Sequence, residues 1–178
     1  MPKRIFLAVP LAPELRQEIM EWKQAYHDLP VRWMNEQDLH ITIVPPWFES
    51  RPEEVMDRLS RFVPPSFEHT IKFDRVRFGP TLKRPRLVWA EGPTPPEMLY
   101  VKQTLERWLS VPRDPRPFRT HLTLARFDPE KFSTFPVQKL NKPVTWAQPI
   151  DRVALFESHP VTDGIEYTIL AEKSFKTS

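Results

Sequence analysis

The stretch DLHITIVPP, residues 38–46, shares the pattern His, apolar, Thr, apolar with the stretch THLTLARF, residues 120–127. The pattern starts at His40 in the first stretch and at His121 in the second. With only five His and 12 Thr in 178 residues, roughly 0.3 His-x-Thr triplets are expected by chance. Two matched copies therefore indicate a repeated structural unit.

Residues i and i+2 of a β-strand point to the same face of the sheet. His40 and Thr42 therefore share one face, and the apolar residues between them point to the other. A single copy of this pattern is most simply an ordinary strand with a polar outer face. The matched pair instead favours two half-sites, in which His121 and Thr123 face the first pair across a cleft.

Two imidazoles and two hydroxyls suit proton transfer to and from an anion. Histidine titrates near neutral pH, so one ring can act as a base and the other as an acid. The hydroxyls can donate hydrogen bonds to phosphate oxygens, and the set suits cleavage of a phosphodiester. A metal site is the weaker interpretation, because Asp38 has no counterpart before His121. We predict no metal and no cofactor.

The composition is that of one compact folded domain, residues 1–178, with 40% hydrophobic residues. The absence of Cys excludes disulfides, a thiolate nucleophile and Cys-rich zinc sites. A net charge of +3 is too small to indicate a long nucleic-acid footprint. The first apolar run, IFLAV, is too short for a signal sequence, and no run approaches a membrane span. We expect a cytoplasmic, monomeric protein that does not contact membranes.

Hydrophobic periodicity predicts the same element order in each half of the chain: strand, helix, His-x-Thr strand, helix, strand. The predicted strands are 4–9, 31–34, 38–44, 67–78, 86–91, 118–127, 151–158 and 165–175. The predicted helices are 13–29, 51–63 and 95–109, with one helical turn in DPEKFST. A turn is expected at Asp163-Gly164, and the Pro-rich segment that ends at Pro149 is expected to be irregular.

Several motifs together resemble the two-histidine phosphoesterase superfamily, in particular its RNA 2′,3′-cyclic phosphodiesterase or 2′-5′ RNA ligase branch. These are the paired His-x-Thr-x motifs, RIFLAV (4–9) followed by PELR (13–16), RPFRTHLTLAR (116–126) and LFESHPVTDGIEYTIL (155–170). The resemblance implies an α+β fold of two pseudo-symmetric lobes. Each lobe has an antiparallel sheet with helices outside, and both motifs line the central cleft.

The resemblance also implies an activity, the metal-independent hydrolysis of a ribose 2′,3′-cyclic phosphate to a 2′-phosphate. The substrates would be RNA 3′ ends or cyclic nucleotides, and some relatives rejoin 2′,5′ linkages. By this resemblance His40 donates the proton to the leaving 3′-oxygen and His121 activates water. Thr42 and Thr123 hold phosphate oxygens, and Arg126 binds the phosphate or stacks on a base.

Two further residues are candidates for substrate binding. Strand alternation places Arg126 opposite to His121 unless the strand ends or bulges there, whereas Arg119 has the parity of His121. Phe6 is a candidate platform for a base, although a core position is the more common role for such a ring.

The chain departs from the family pattern at two places. VPPWFE follows the first motif where the family has a Phe-Leu-Gly turn, and Thr120 precedes the second His where the family has Pro. Substrate length and base preference therefore remain open. So do two alternative functions, a non-catalytic RNA-binding module and a 2′,5′-phosphodiesterase or ligase acting on another small nucleotide.

Overall fold

The computed structural model describes residues 1–65 and 69–175. The strands are β1 (Lys3–Pro10), β2 (Arg32–Trp33), β3 (His40–Glu49), β4 (Thr70–Gly79), β5 (Leu87–Glu91), β6 (His121–Arg126), β7 (Asn141–Pro149), β8 (Arg152–Val161) and β9 (Gly164–Ser174). The helices are α1 (Pro13–Gln24), α2 (Pro52–Ser60) and α3 (Pro96–Leu109), with 3-10 turns at Glu36–Asp38 and Pro129–Thr134. The helices in the described part of the chain lack the length and hydrophobicity that a membrane span requires.

The strands form two antiparallel sheets. The first sheet has the order β3-β1-β8-β9, and the second has the order β2-β6-β5-β4-β7. The two His-x-Thr strands, β3 and β6, belong to different sheets and contact each other where the lobes meet. The predicted bilobal α+β fold with antiparallel sheets is thus confirmed.

The two lobes do not correspond to the two halves of the chain. Strand β2 comes from the first half but pairs with β6 in the second sheet, while β8 and β9 return to complete the first sheet. Because each sheet takes strands from both halves, the repeated element order seen in the sequence is interleaved in space.

All three helices begin with Pro, which suits the first turn because its missing N–H has no partner there anyway. Helix α1 ends at Gln24, before the predicted end at residue 29, because the next backbone N–H groups turn to carbonyls three residues back. Ala25 donates to Trp22 and Tyr26 donates to Lys23. Helix α2 also ends before its predicted end, at Ser60 and not at residue 63.

The segment expected to be irregular contains strand β7. Its Trp146 and Gln148 are buried, and the strand pairs only with β4 at the edge of the second sheet. Pro143 and Pro149 are tolerated because an edge strand has unpaired N–H positions that face outward. The same reason lets β3, which carries the first motif at the edge of the first sheet, continue through Pro45 and Pro46 to Glu49.

Other strand boundaries differ more modestly from the prediction. Strand β2 is only two residues long, and β6 begins at His121, three residues later than predicted. Phe67 and Glu68 of the predicted 67–78 strand lie outside the described residues, and β4 begins at Thr70. The predicted turn lies one residue earlier, at Thr162-Asp163, and Gly164 opens β9 with a left-handed φ of +146° that favours glycine.

One hydrophobic core extends under both sheets. Ile41 and Ile43 of β3 and Leu122 and Leu124 of β6 all belong to it and are at most 2% exposed. These are the apolar residues that alternate with the motif His and Thr. Their burial fixes the two strands so that the polar partners face away from the core.

Candidate active site

The structure brings both halves of the predicted site into one cleft. His40 and Thr42 from β3, and His121 and Thr123 from β6, are half-buried and line a cavity of about 480 Å³ between the lobes. The prediction that the two motifs converge therefore agrees with the geometry.

The two imidazoles are held in the same way. Nδ1 of His40 lies 2.6 Å from the carbonyl oxygen of Asp38, and Nδ1 of His121 lies 3.0 Å from that of Arg119. A carbonyl oxygen only accepts, so Nδ1 carries the proton and donates it in both rings. Each neutral ring consequently keeps its lone pair on Nε2, which is free to take up a proton.

The His40 ring lies against three aromatic side chains. Ring centroids are 4.9 Å away at Phe6, 5.0 Å at Tyr167 and 5.4 Å at Phe156. Phe6 is only 2% exposed and stacks on Phe156, so it has no open face for a base. The structure therefore favours the core role for Phe6, as a support beneath His40. Tyr167, which is half-buried, presents a ring to the cleft.

The surroundings of His121 are more polar. Its ring lies 4.8 Å from that of Trp89, which is 4% exposed, and it pairs across the strands with Glu91. Arg77 donates two hydrogen bonds to Glu91 at 2.6 and 2.8 Å and lies 5.5 Å from the Trp89 ring centre. His121 therefore has one apolar neighbour and a network of charges beyond it.

Burial lowers the pKa of both histidines. The pKa of His40 falls from 6.5 to about 4, with the hydrogen bond to Asp38 opposing burial and the positive charge of Arg126 adding to it. Burial also lowers the pKa of His121, and the charges of Arg126 and Arg119 lower it further. Both rings are neutral at pH 7, and an anion entering the cleft would raise both pKa values.

Arg126 lines the cleft because β6 contains a bulge. Thr123 and Ala125 pair with the adjacent residues Trp89 and Val88, so one extra residue, Leu124, is inserted in β6. The insertion reverses the alternation and turns Arg126 to the face of His121. The sequence allowed Arg126 to face His121 only if the strand ended or bulged, and the structure has that bulge.

Strand β3 has a bulge at the equivalent place. Thr42 and Val44 pair with the adjacent residues Ala8 and Leu7, so Ile43 is the extra residue. Pro45, five residues after His40, thereby reaches the cleft as Arg126 does. The two half-sites share their backbone irregularity, but only the second supplies a cation at this position.

Arg119 also lines the cleft, in the loop that leads into β6. The next residue, Thr120, stands where the family pattern has Pro. Its backbone N–H donates to the hydroxyl of Thr94 at 2.9 Å, a bond that Pro could not make. This departure from the pattern thus adds a tie between the loop and the start of the α3 segment.

Several cleft residues lie outside the two His-x-Thr motifs. Tyr167 lies in an alternating strand, so its face could be predicted, but not its approach to His40. The further cations in the cleft lining come from separate elements of the chain: Arg4, Arg86, Lys102 and Arg116. Arg4 opens the stretch RIFLAV and Arg116 opens RPFRTHLTLAR, but no local pattern places any of the four cations in the cleft.

Comparisons with known proteins agree with this geometry. The family model of the 2′-5′ RNA ligase superfamily matches residues 11–161. The crystal structure of E. coli LigT complexed with 3′-AMP has a TM-score of 0.75 at 23% identity, over 99% of this chain and 100% of that chain. No curated protein matches the sequence.

Two further solved structures have the same fold. E. coli LigT complexed with NADP+ has a TM-score of 0.73 at 25% identity, over 98% of both chains. The protein TT0787 of Thermus thermophilus has a TM-score of 0.74 at 23% identity, over 97% of both chains.

Proposed function

The chain belongs to the 2′-5′ RNA ligase superfamily, and on that premise we propose that it hydrolyses ribose 2′,3′-cyclic phosphates to 2′-phosphates without a metal. The observation that carries the proposal is the matched pair of imidazoles, each with Nδ1 bound to a backbone carbonyl and Nε2 left free in a shared cleft. The nucleotides present in the E. coli LigT structures, 3′-AMP and NADP+, support a nucleotide substrate.

The proposed reaction needs one proton acceptor and one proton donor. His121 Nε2 accepts a proton from water as its oxygen attacks phosphorus, and the bond from phosphorus to the 3′-oxygen breaks. His40 donates a proton from Nε2 to the departing 3′-oxygen, leaving the phosphate on the 2′-oxygen. Each proton transfer of this kind contributes a rate factor of about 10²–10⁴.

Binding of the anion prepares the acid for this step. Both rings are neutral in the free protein, and the negative charge of the phosphate raises the pKa of a neighbouring imidazole. Thr42 and Thr123 donate to the non-bridging oxygens, while Arg126, which faces both rings, neutralises the growing charge.

The test compares variants of the cleft histidines on defined substrates. We expect His40→Gln or His121→Gln to lower kcat for 2′,3′-cyclic AMP by about 10²–10⁴-fold. The wild-type protein should keep its full activity in EDTA. His27→Gln is the matched control, because His27 is exposed and outside the cleft. Mass analysis and ³¹P NMR should identify the product as the 2′-phosphate.

Two results would contradict the proposal. Salt-dependent binding of a cyclic-ended oligonucleotide without any product would support the non-catalytic RNA-binding module instead. Turnover confined to 2′,5′-linked dinucleotides in the same substrate panel would support the alternative phosphodiesterase or ligase.

A further inference from the structure

The cleft holds more positive charge than a single cyclic phosphate needs. Its lining contains one carboxylate, Asp114, and six cationic side chains: Arg4, Arg86, Lys102, Arg116, Arg119 and Arg126. The lining therefore has a formal charge of +5, whereas the whole chain has +3, so the rest of the molecule is net acidic. A cyclic phosphate carries one negative charge, which leaves several cations for other anionic groups of the substrate.

Arg116 is an exposed cation of the cleft that its loop neighbour Asp114 holds by several hydrogen bonds. Its Nε lies 2.9 and 3.2 Å from the two oxygens of Asp114, its Nη2 lies 2.8 Å from Oδ2, and its backbone N–H donates to Oδ1 at 3.0 Å. Among the described residues, none accepts a hydrogen bond from Nη1. One edge of the guanidinium is thus fixed to the loop, and the other edge is free to bind an anion.

A buried ion pair on α3 lines a pocket together with Asp114 and Arg116 of the loop. Lys102 and Glu106 on α3 are each 4% exposed and form an ion pair. The hydrogen bond from Arg116 holds the pKa of Asp114 below its ordinary value, and the charge of Lys102 adds to this effect. Burying a charged pair costs free energy that an apolar pair would not cost. The pair lies beside the loop, and the backbone carbonyl of Glu106 accepts a hydrogen bond from Val111 at the start of the loop.

The loop is also stiff. Residues 111–120, VPRDPRPFRT, contain three prolines, which restrict the backbone on both sides of Asp114 and Arg116. A stiff loop with a clamped guanidinium loses little conformational entropy when it binds a ligand.

We propose that Arg116, positioned by Asp114 and Lys102, forms a second phosphate subsite that binds the phosphodiester joining the terminal nucleotide of an RNA to the preceding one. The inference rests on the proposed function and deepens it. When the cyclic phosphate occupies the histidine pair, the nearest other phosphate of an RNA end is this linkage on the 5′-oxygen. A free guanidinium edge matches the two non-bridging oxygens of a phosphodiester.

The test compares three substrates that differ only beyond the terminal nucleotide. They are 2′,3′-cyclic AMP, the dinucleotide ApA with a 2′,3′-cyclic end, and that dinucleotide with an uncharged methylphosphonate linkage. We expect kcat/KM to be about tenfold higher for the charged dinucleotide than for the other two. A fourth substrate, 2′,3′-cyclic AMP that carries a 5′-phosphate, tests whether a terminal phosphate can replace the phosphodiester linkage.

The variants assign the preference to a residue. Arg116→Gln should abolish the tenfold ratio between the two dinucleotides, and Asp114→Asn should reduce it mainly through KM. Arg113→Gln is the matched control, because Arg113 is exposed on the same loop but does not line the cleft. It should keep the full ratio.

Failure of the subsite and failure of the proposed function give different results. The subsite is overturned if the methylphosphonate dinucleotide has the same kcat/KM as the charged dinucleotide in the wild type. It is also overturned if Arg116→Gln keeps the tenfold ratio between the two dinucleotides. Absence of turnover on every cyclic substrate overturns the proposed function. In that case the affinities for 3′-AMP and for the 3′-phosphorylated dinucleotide, measured by calorimetry in wild type and Arg116→Gln, decide the subsite separately.

Discussion

At the scale of single residues, the two motif histidines obtain their tautomer from the backbone. Each Nδ1 donates to the carbonyl of the residue two positions earlier, although Asp38 and Arg119 have unlike side chains. This hydrogen bond requires only that the backbone before the strand directs that carbonyl oxygen toward the imidazole. The same reactive nitrogen is therefore exposed in both half-sites without an acidic partner side chain.

Burial is the main cause of the lowered pKa of both rings, and Arg126 should add to it. Its positive charge lowers the pKa of His40 and of His121, so Arg126→Gln should raise both values. The measurement is a titration of the imidazole Hε1 resonances by NMR. Arg126→Lys keeps the charge and should leave the midpoints near those of the wild type; unchanged midpoints in Arg126→Gln would contradict the expectation.

The low pKa of His40 should make stability depend on pH. The pKa is about 4 in the folded protein and 6.5 in the unfolded chain, so the unfolded state binds more protons between these values. The free energy of unfolding should therefore fall by up to about 3 kcal/mol from this group as pH drops from 6.5 to 4. Urea unfolding at several pH values measures it, and His40→Gln should show a smaller loss.

At the scale of secondary structure, the two bulges decide which side chains reach the cleft. Each follows the motif Thr by one residue and places two consecutive buried residues in the strand, Ile43 and Val44 in β3 and Leu124 and Ala125 in β6. Without the bulge in β6, simple alternation would bury Arg126 in the core. The presence of Arg126 in the cleft of the two histidines is thus a consequence of backbone geometry.

The contact between Gly79 of β4 and the Trp89 ring of β5 should not tolerate even one added methyl group. A Cβ at Gly79 would lie 2.4 to 2.9 Å from three atoms of the Trp89 ring, which supports His121. We expect Gly79→Ala to displace the ring, lower kcat and cost about 1–3 kcal/mol of unfolding free energy. Urea unfolding and turnover measure these effects. In a Trp89→Leu background the added cost should be much smaller, and full additivity would contradict the contact.

At the scale of the whole molecule, the cleft lies between lobes that share one core. Buried residues of both sheets belong to a single hydrophobic cluster, and the hairpin turn of the first sheet also contacts the second through Arg32, which donates to the carbonyl of Asp163. The site therefore depends on how the lobes pack as well as on each lobe separately.

The shared core leads to a prediction about unfolding, since a single domain should lose both lobes together. Far-UV circular dichroism and tryptophan fluorescence should give one urea transition with the same midpoint. Three of the tryptophans, Trp22, Trp33 and Trp146, form a cluster beside the second sheet, so fluorescence follows that lobe closely. Separate midpoints for the two signals would show that the lobes unfold independently.

The sequence alone determined the central features of this protein. The His-x-Thr repeats identified the four motif side chains and their common face, because strand alternation is a local rule. The same local rules predicted the three helices, most strands and, within one residue, the turn before Gly164. They failed at β7, where Pro suggested an irregular segment, because a position at a sheet edge is a tertiary property.

The surroundings of the motifs depend on long-range contacts in the folded chain. The interleaving of the lobes, the bulge that turns Arg126 to the cleft, and the approach of Tyr167 and Arg116 all depend on pairings between residues far apart in the chain. So do the lowered pKa values, because burial and neighbouring charges exist only in the folded protein. The four residues of the proposed site were visible as a local pattern, whereas their environment arises from long-range packing.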